Sequence, residues 1–381
     1  MRYFSAVTSP IVYLQYFRSF AALSFFGVIS TYNSEKLSFV IFHVLIIQIL
    51  ESFFTSGVDY QFKKFKNILS RSDIRLFIIN VRLHLLLILS FFYFSASFFY
   101  GTFNSQDLLI VLILLFNAFF VLGYYFESEE INFFRLIVYS FTNILVLICI
   151  YYEYLSFWWF LLVHFTLIPI VGLKGYFYSY KSPKEIFPVV RSLAKYWQIN
   201  IFTLSYTNFN VLLISYYFVP VQAMILFYID KLRSVFITVL VPLNKLAFKN
   251  SLNEKIDSDF FRRGLIESLV LGALVSLVLV ALFPVYQKII ATNIAGYEWW
   301  FAFYFAMPIP VSMSLFLAYV CLTNLSKESL LRDIYFKVFI VYILAMPVIV
   351  FFKESYLVGL TLFSIEIITT LMLFIYVRKS I

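Results

Sequence analysis

Apolar runs of about 17–25 residues alternate with short polar connections along the whole chain. Such a run matches the length a helix needs to cross a bilayer, where the helix satisfies its own backbone donors and acceptors. The first six predicted spans lie near residues 10–30, 37–58, 76–99, 108–126, 136–152 and 157–178. The second six lie near 196–217, 222–244, 264–283, 298–322, 338–352 and 356–377. The expected fold is therefore an all-α polytopic membrane protein of about twelve transmembrane helices. The connection Lys174–Lys195 carries Pro183 and Pro188 and falls between the two sets of six. It marks the expected boundary between an N-terminal lobe, 1–181, and a C-terminal lobe, 182–381. Two such lobes with a substrate path at their interface are a common transporter plan, and they would here enclose a central cavity.

Polar positions inside the runs mark where that cavity would be. In the seventh span Asn200, Thr203, Thr207 and Asn210 recur at offsets of three, four and three, which puts them on one helical face. A short turn, Phe218-Val219-Pro220-Val221, leads into the eighth span, which contains Asp230, Lys231 and Arg233. Ionisable groups at membrane depth are costly and face a bundle interior or a wet cavity. Spans seven and eight thus read as a helical hairpin lining a polar cavity, although the three charges can equally neutralise one another. Arg18 and Arg82 lie within the first and third spans, as cavity residues or as side chains reaching back to an interface. Glu51 in the second span and Glu366 in the twelfth are deep carboxylates, each able to pair with an arginine or to bind a coupling proton.

Composition agrees with the pattern. The 381 residues are 62% hydrophobic and 13% charged, with a mean hydropathy of +0.91; a soluble domain carries about a quarter charged residues. The formal charge of +9 is distributed as a topology signal. With the N-terminus inside, 22 of the 29 basic residues fall in inward segments, only Lys36, Lys288 and Lys353 fall outward, and Arg18, Arg82, Lys231 and Arg233 lie within spans. That bias places both termini in the cytoplasm and removes the reason to expect nucleic acid as a partner. Glu127, Glu129 and Glu130 form an acidic inward connection, read as a solvated turn or as a gate to the basic segment from Lys63 to Arg75. Cys149 and Cys321 lie in apolar runs, and the three histidines are far apart. No metal site, cofactor or catalytic constellation is expected.

The hairpin carries a family resemblance. Tyr228, Asp230 and Lys231 near the start of the eighth span, Pro242 further along it, and the segment Gly123–Arg135 after the fourth span are similar to the O-antigen and polysaccharide flippases. These form the polysaccharide transporter branch of the multidrug/oligosaccharidyl-lipid/polysaccharide exporter superfamily. Asp230 stands where that family more often has Glu. The resemblance implies a transporter, not an enzyme, of the bacterial inner membrane. It implies an undecaprenyl-pyrophosphate-linked oligosaccharide as substrate, for O-antigen in lipopolysaccharide or for capsule. H⁺ or Na⁺ would be the coupling ion, and a polymerase of the same pathway a partner. On that reading Arg18, Arg82, Asn200, Thr203, Thr207, Asn210, Lys231 and Arg233 bind substrate, and Glu51, Asp230 and Glu366 are ion-coupling candidates.

Two other functions remain open at this stage. A multidrug exporter of the same superfamily would favour acidic cavity residues, and the basic residues within spans lean against it. A membrane polymerase or acyltransferase would need a folded outward lobe, yet the longest predicted outward loop runs only from Pro284 to Tyr297.

Overall fold

The computed structural model describes residues 129–152, 256–290, 298–323 and 327–381. It also describes 17, 87, 90, 91, 94, 95, 156, 159, 162, 163, 198, 199 and 325, and, between 201 and 244, positions 201–203, 206, 210, 226, 229, 230, 232–234, 237, 240, 243 and 244. Among the described residues the regular structure is entirely helical, with no strand. In chain order the elements are α1 (Glu129–Tyr151), α2 (Ser258–Ile290), α3 (Glu298–Ala306), α4 (Pro308–Leu315), a π-helical segment (Phe316–Leu322), α5 (Glu328–Phe352) and α6 (Ser355–Ser380). The chain divides into two compact units, one of Met1–Leu23 with Ile201–Ile381 and one of Ser24–Asn200.

Among the described residues, four stretches are long and apolar enough to cross a membrane: Ser258–Pro284, Ala302–Leu322, Ser329–Phe352 and Tyr356–Ser380. They correspond to the ninth to twelfth predicted spans and mark a membrane-embedded protein. Their burial pattern fits lipid as the outer solvent. On α2, Ser268, Gly272, Val275 and Leu279 are buried at offsets of four, three and four. The other faces expose Ile266, Leu269, Val270, Leu274, Leu277 and Val280. α5 likewise turns Ile343, Leu344, Val348 and Phe351 outward. In α1, within the other unit, Phe141, Ile144, Leu145 and Ile148 are exposed while Val146 is buried.

Local chemistry sets the helix ends. Asp257 precedes α2, and its carboxylate oxygen Oδ1 accepts the Phe260 backbone N–H at 2.7 Å, an N-terminal cap. α5 stops at Lys353, whose φ of 52° and ψ of 23° are left-handed and close the helix. Glu354 is extended, and α6 begins at once. Arg378 and Lys379 occupy the last turn of α6, where cations are favoured by the helix dipole.

Span ten is the most buried of the four membrane-length stretches, and it is not one regular helix. Pro308 and Pro310 have no N–H, so the carbonyls of Tyr304 and Ala306, four residues back, lose their donors. The ladder breaks at Met307, although the Met307 φ of −56° and ψ of −36° remain helical. Further along, Thr323 donates its backbone N–H to the Ala318 carbonyl at 3.2 Å and its hydroxyl to the same oxygen at 3.0 Å. That five-residue spacing is π-helical.

Neighbouring helices grip this interrupted span through small residues. A Cβ at Gly272 on α2 would stand 2.7 Å from both Ile309 Cα and the Pro308 carbonyl oxygen, so only glycine permits the approach to α4. On the other side, the Thr370 hydroxyl of α6 reaches the Pro310 carbonyl at 2.9 Å and its own Glu366 carbonyl at 2.8 Å. α3 and α4 both pack on α6, and α5 packs along α6 and the π segment.

Candidate functional site

Every described residue between 198 and 244 is helical, and on these positions the hairpin charges are buried. Asp230 and Arg233 are 5% and 6% exposed. Their spacing of three places them on one helical face, and they form an ion pair there. Arg233 donates Nε–H at 3.1 Å and Nη2–H at 2.6 Å, both to Asp230 Oδ1. A guanidinium has five N–H donors; two are spent on this carboxylate. The cation also sits over the Tyr304 ring from α3, 5.9 Å from its centroid. Attraction of that kind strengthens when the pair is desolvated, as it is here.

A third charge comes from α6. Glu366 is buried and interacts electrostatically with Arg233, Tyr206 and Tyr335. It makes no direct ion pair with Arg233, whose contact carboxylate is that of Asp230. The described part of the cluster therefore holds two carboxylates and one guanidinium. Tyrosines complete it: Tyr206 shares a side-chain hydrogen bond with Thr203 and meets the Tyr342 ring at 6.2 Å. The Tyr304 and Tyr342 hydroxyls are buried and have no hydrogen-bond partner among the described residues. Phe202 anchors the same stretch on α5, with ring centroids 5.4 Å from Phe336 and 5.3 Å from Phe339.

Chemically, a pair this deep, with both members on one helical turn, is a poor open anion site. An incoming anion must compete with Asp230 for the guanidinium or take its unspent N–H donors. Among the described residues Glu366 is the member without a bonded cation, so the charge of this described cluster changes with the proton on that carboxylate.

The structure brings together Asp230, Arg233 and Glu366. Thr203 is half-buried beside Tyr206, and Asn210 is buried at 2% exposure, one turn beyond Tyr206. Arg18, Glu51, Arg82, Asn200, Thr207 and Lys231 lie outside the described residues, as do Tyr228 and Pro242. Residues 127 and 128 lie outside them as well, while Glu129 and Glu130 belong to the first turn of α1, not to a turn before it.

Sequence reasoning missed the tyrosines. Tyr206 stands three residues after Thr203 and four before Asn210, so the polar face already contained it; an aromatic residue there did not register as polar. Tyr304 sits in the aromatic run at 299–305, where nothing in the pattern separates it from its neighbours. Thr370 is one of two adjacent threonines in an apolar stretch, and only the fold shows its reach to Pro310.

No protein-family model, curated protein or solved structure matches this chain.

Proposed function

We propose that this chain flips undecaprenyl-pyrophosphate-linked oligosaccharide across the bacterial inner membrane. The two six-helix lobes, 1–181 and 182–381, alternate access to a cavity between them, and movement is coupled to an ion. The observation that carries the reading is the buried Asp230–Arg233 pair with Glu366 nearby, Glu366 lying on the membrane-length helix α6. Charges at that depth are expensive, and a purely structural membrane bundle has no need of three. Asp230 is also one of the positions on which the likeness to polysaccharide flippases rests. Glu366 is the natural ion-coupling carboxylate of this group, because among the described residues its charge is the one not matched by contact. Arg233 meets the substrate through its unspent N–H donors, with aromatic faces available to sugar rings.

The experiment is deletion of the gene in its own bacterium, with extraction of undecaprenyl-linked material. Lipid-linked oligosaccharide should accumulate on the cytoplasmic leaflet while surface polysaccharide disappears, and the intact gene should restore export. Normal surface polysaccharide with no accumulated precursor would refute the proposal. The excess of carboxylate over guanidinium in the described cluster favours one second reading, a multidrug exporter for organic cations. On that reading deletion leaves the polysaccharide intact and sensitises cells to cationic dyes.

A further inference from the structure

We infer that α3 is a lid over the Asp230–Arg233 pair, hinged at Met307. The inference holds whatever the cargo is. It starts from a mismatch inside span ten between backbone angle and bonding. Met307 has helical φ and ψ, so the axis continues through it. Yet Pro308 and Pro310 deprive the Tyr304 and Ala306 carbonyls of their ladder donors. The Met307 carbonyl still accepts the Val311 backbone N–H at 3.1 Å, but a helix that lacks the ladder bonds on either side of it bends at lower cost, and prolines are among the few identified causes of such bending.

The two sides of the break are held differently. On the far side, α4 is fixed from both flanks, by α2 backbone-close at Gly272 and by the Thr370 hydroxyl on the Pro310 carbonyl. On the near side, α3 is nine residues long and meets its neighbours through side chains. Phe303 faces Phe363 with centroids 6.0 Å apart, Phe305 meets Phe283 at 5.2 Å, and Tyr304 lies against Gly359. The described contacts of α3 run through side chains, mostly rings, with α6 coming close at Gly359; those of α4 add backbone contact and a hydrogen bond.

Tyr304 is what the lid carries. Its ring covers Arg233, and its hydroxyl is buried at 0% exposure without a hydrogen-bond partner among the described residues. An orphaned hydroxyl favours the state in which it finds water. Swinging α3 about Met307 moves the ring off the guanidinium and uncovers the pair, with α4 and the π segment left in place.

The test reads exposure of the pair in the full-length protein in native membranes. With Cys149→Ser and Cys321→Ala as background, Ile229→Cys reports one helical turn before Arg233, at a position now 2% exposed. The probe is N-ethylmaleimide, and its labelling rate is the measurement. Pro308→Ala with Pro310→Ala restores both ladder donors and should slow labelling about tenfold, the value of a hydrogen bond or two. Tyr304→Ala removes the cover without touching the hinge and should speed it about tenfold. Val338→Cys on α5, buried at 0% exposure, serves as the control and should not change in either variant. If the double proline variant fails to fold, labelling at both positions rises, and the Tyr304→Ala comparison then decides alone. Rates at Ile229→Cys that ignore Tyr304→Ala, or that move in parallel with Val338→Cys, overturn the lid.

Discussion

Asp230 spends one oxygen on two donors of Arg233, and both partners are buried. Breaking a buried pair by removing one member costs about 3–5 kcal/mol, because an uncompensated charge stays behind. Asp230→Asn should therefore lower membrane abundance and melting temperature. Adding Arg233→Gln should recover part of the loss, since the double variant buries two neutral amides. The restoring partner is Arg233, which the contact distances identify; the run Asp230, Lys231, Arg233 leaves two cations to choose from. Tyr342 gives the opposite expectation. Its hydroxyl is buried and unbonded among the described residues, and a polar group in that state costs about 1–3 kcal/mol. Tyr342→Phe should raise the melting temperature measured by tryptophan fluorescence, where most core substitutions would lower it.

Span ten depends at the level of elements on glycines that differ in what they face. The atoms crowding a Cβ at Gly272 are backbone, and those at Gly264 belong to the Phe316 ring. A ring can turn aside, whereas a helix backbone moves only with its neighbours. Overpacking costs about 1–3 kcal/mol. Gly272→Ala should sit at or above the top of that range and Gly264→Ala near the bottom, as read by thermal melting in detergent. The sequence made spans nine and twelve legible because each apolar run holds a single charge, Glu267 in one and Glu366 in the other. It placed the start of span eleven at residue 338, whereas α5 begins at Glu328. Arg332, Asp333 and Lys337 lowered the hydropathy of its first turns, but Arg332 and Asp333 pair with each other at 2.7 Å and stay partly exposed, so the helix tolerates them. The prolines of span ten were plain to read. Their effect was not, because Pro284 and Pro347 sit inside continuous helices.

In the whole molecule, short connections reverse the chain at 323–327 and at 353–354. Lys327, Arg332, Arg378 and Lys379 consequently lie toward one end of spans ten to twelve, and Lys353 lies at the other. Impermeant labelling of cysteines placed at Ser326 and Ile381 should find both on one side of the membrane, with Glu354 opposite. Under the positive-inside rule the first two are cytoplasmic. Ser326 and Ile381 on different sides would break the antiparallel order of the last three spans. The membrane class was legible from run length alone. Of the site, the charges could be read because an ionised side chain in an apolar run has few explanations. Its tyrosine share could not, since an aromatic residue at membrane depth is unremarkable until a neighbour gives its hydroxyl or its ring a task.

The π-helical segment also bears on which lengths of chain this protein tolerates. A ring closed from residue i to i+5 holds one residue more than a ring closed from i to i+4, so span ten carries a spare residue within 316–322. Deleting Val320 should be absorbed there, by rewinding to a regular helix that leaves Ile309 opposite Gly272. Deleting Met313 has no such slack to draw on and should slide Ile309 off that contact, with loss of the folded protein. Span ten should accordingly accept length variants on one side of Leu315 and reject them on the other.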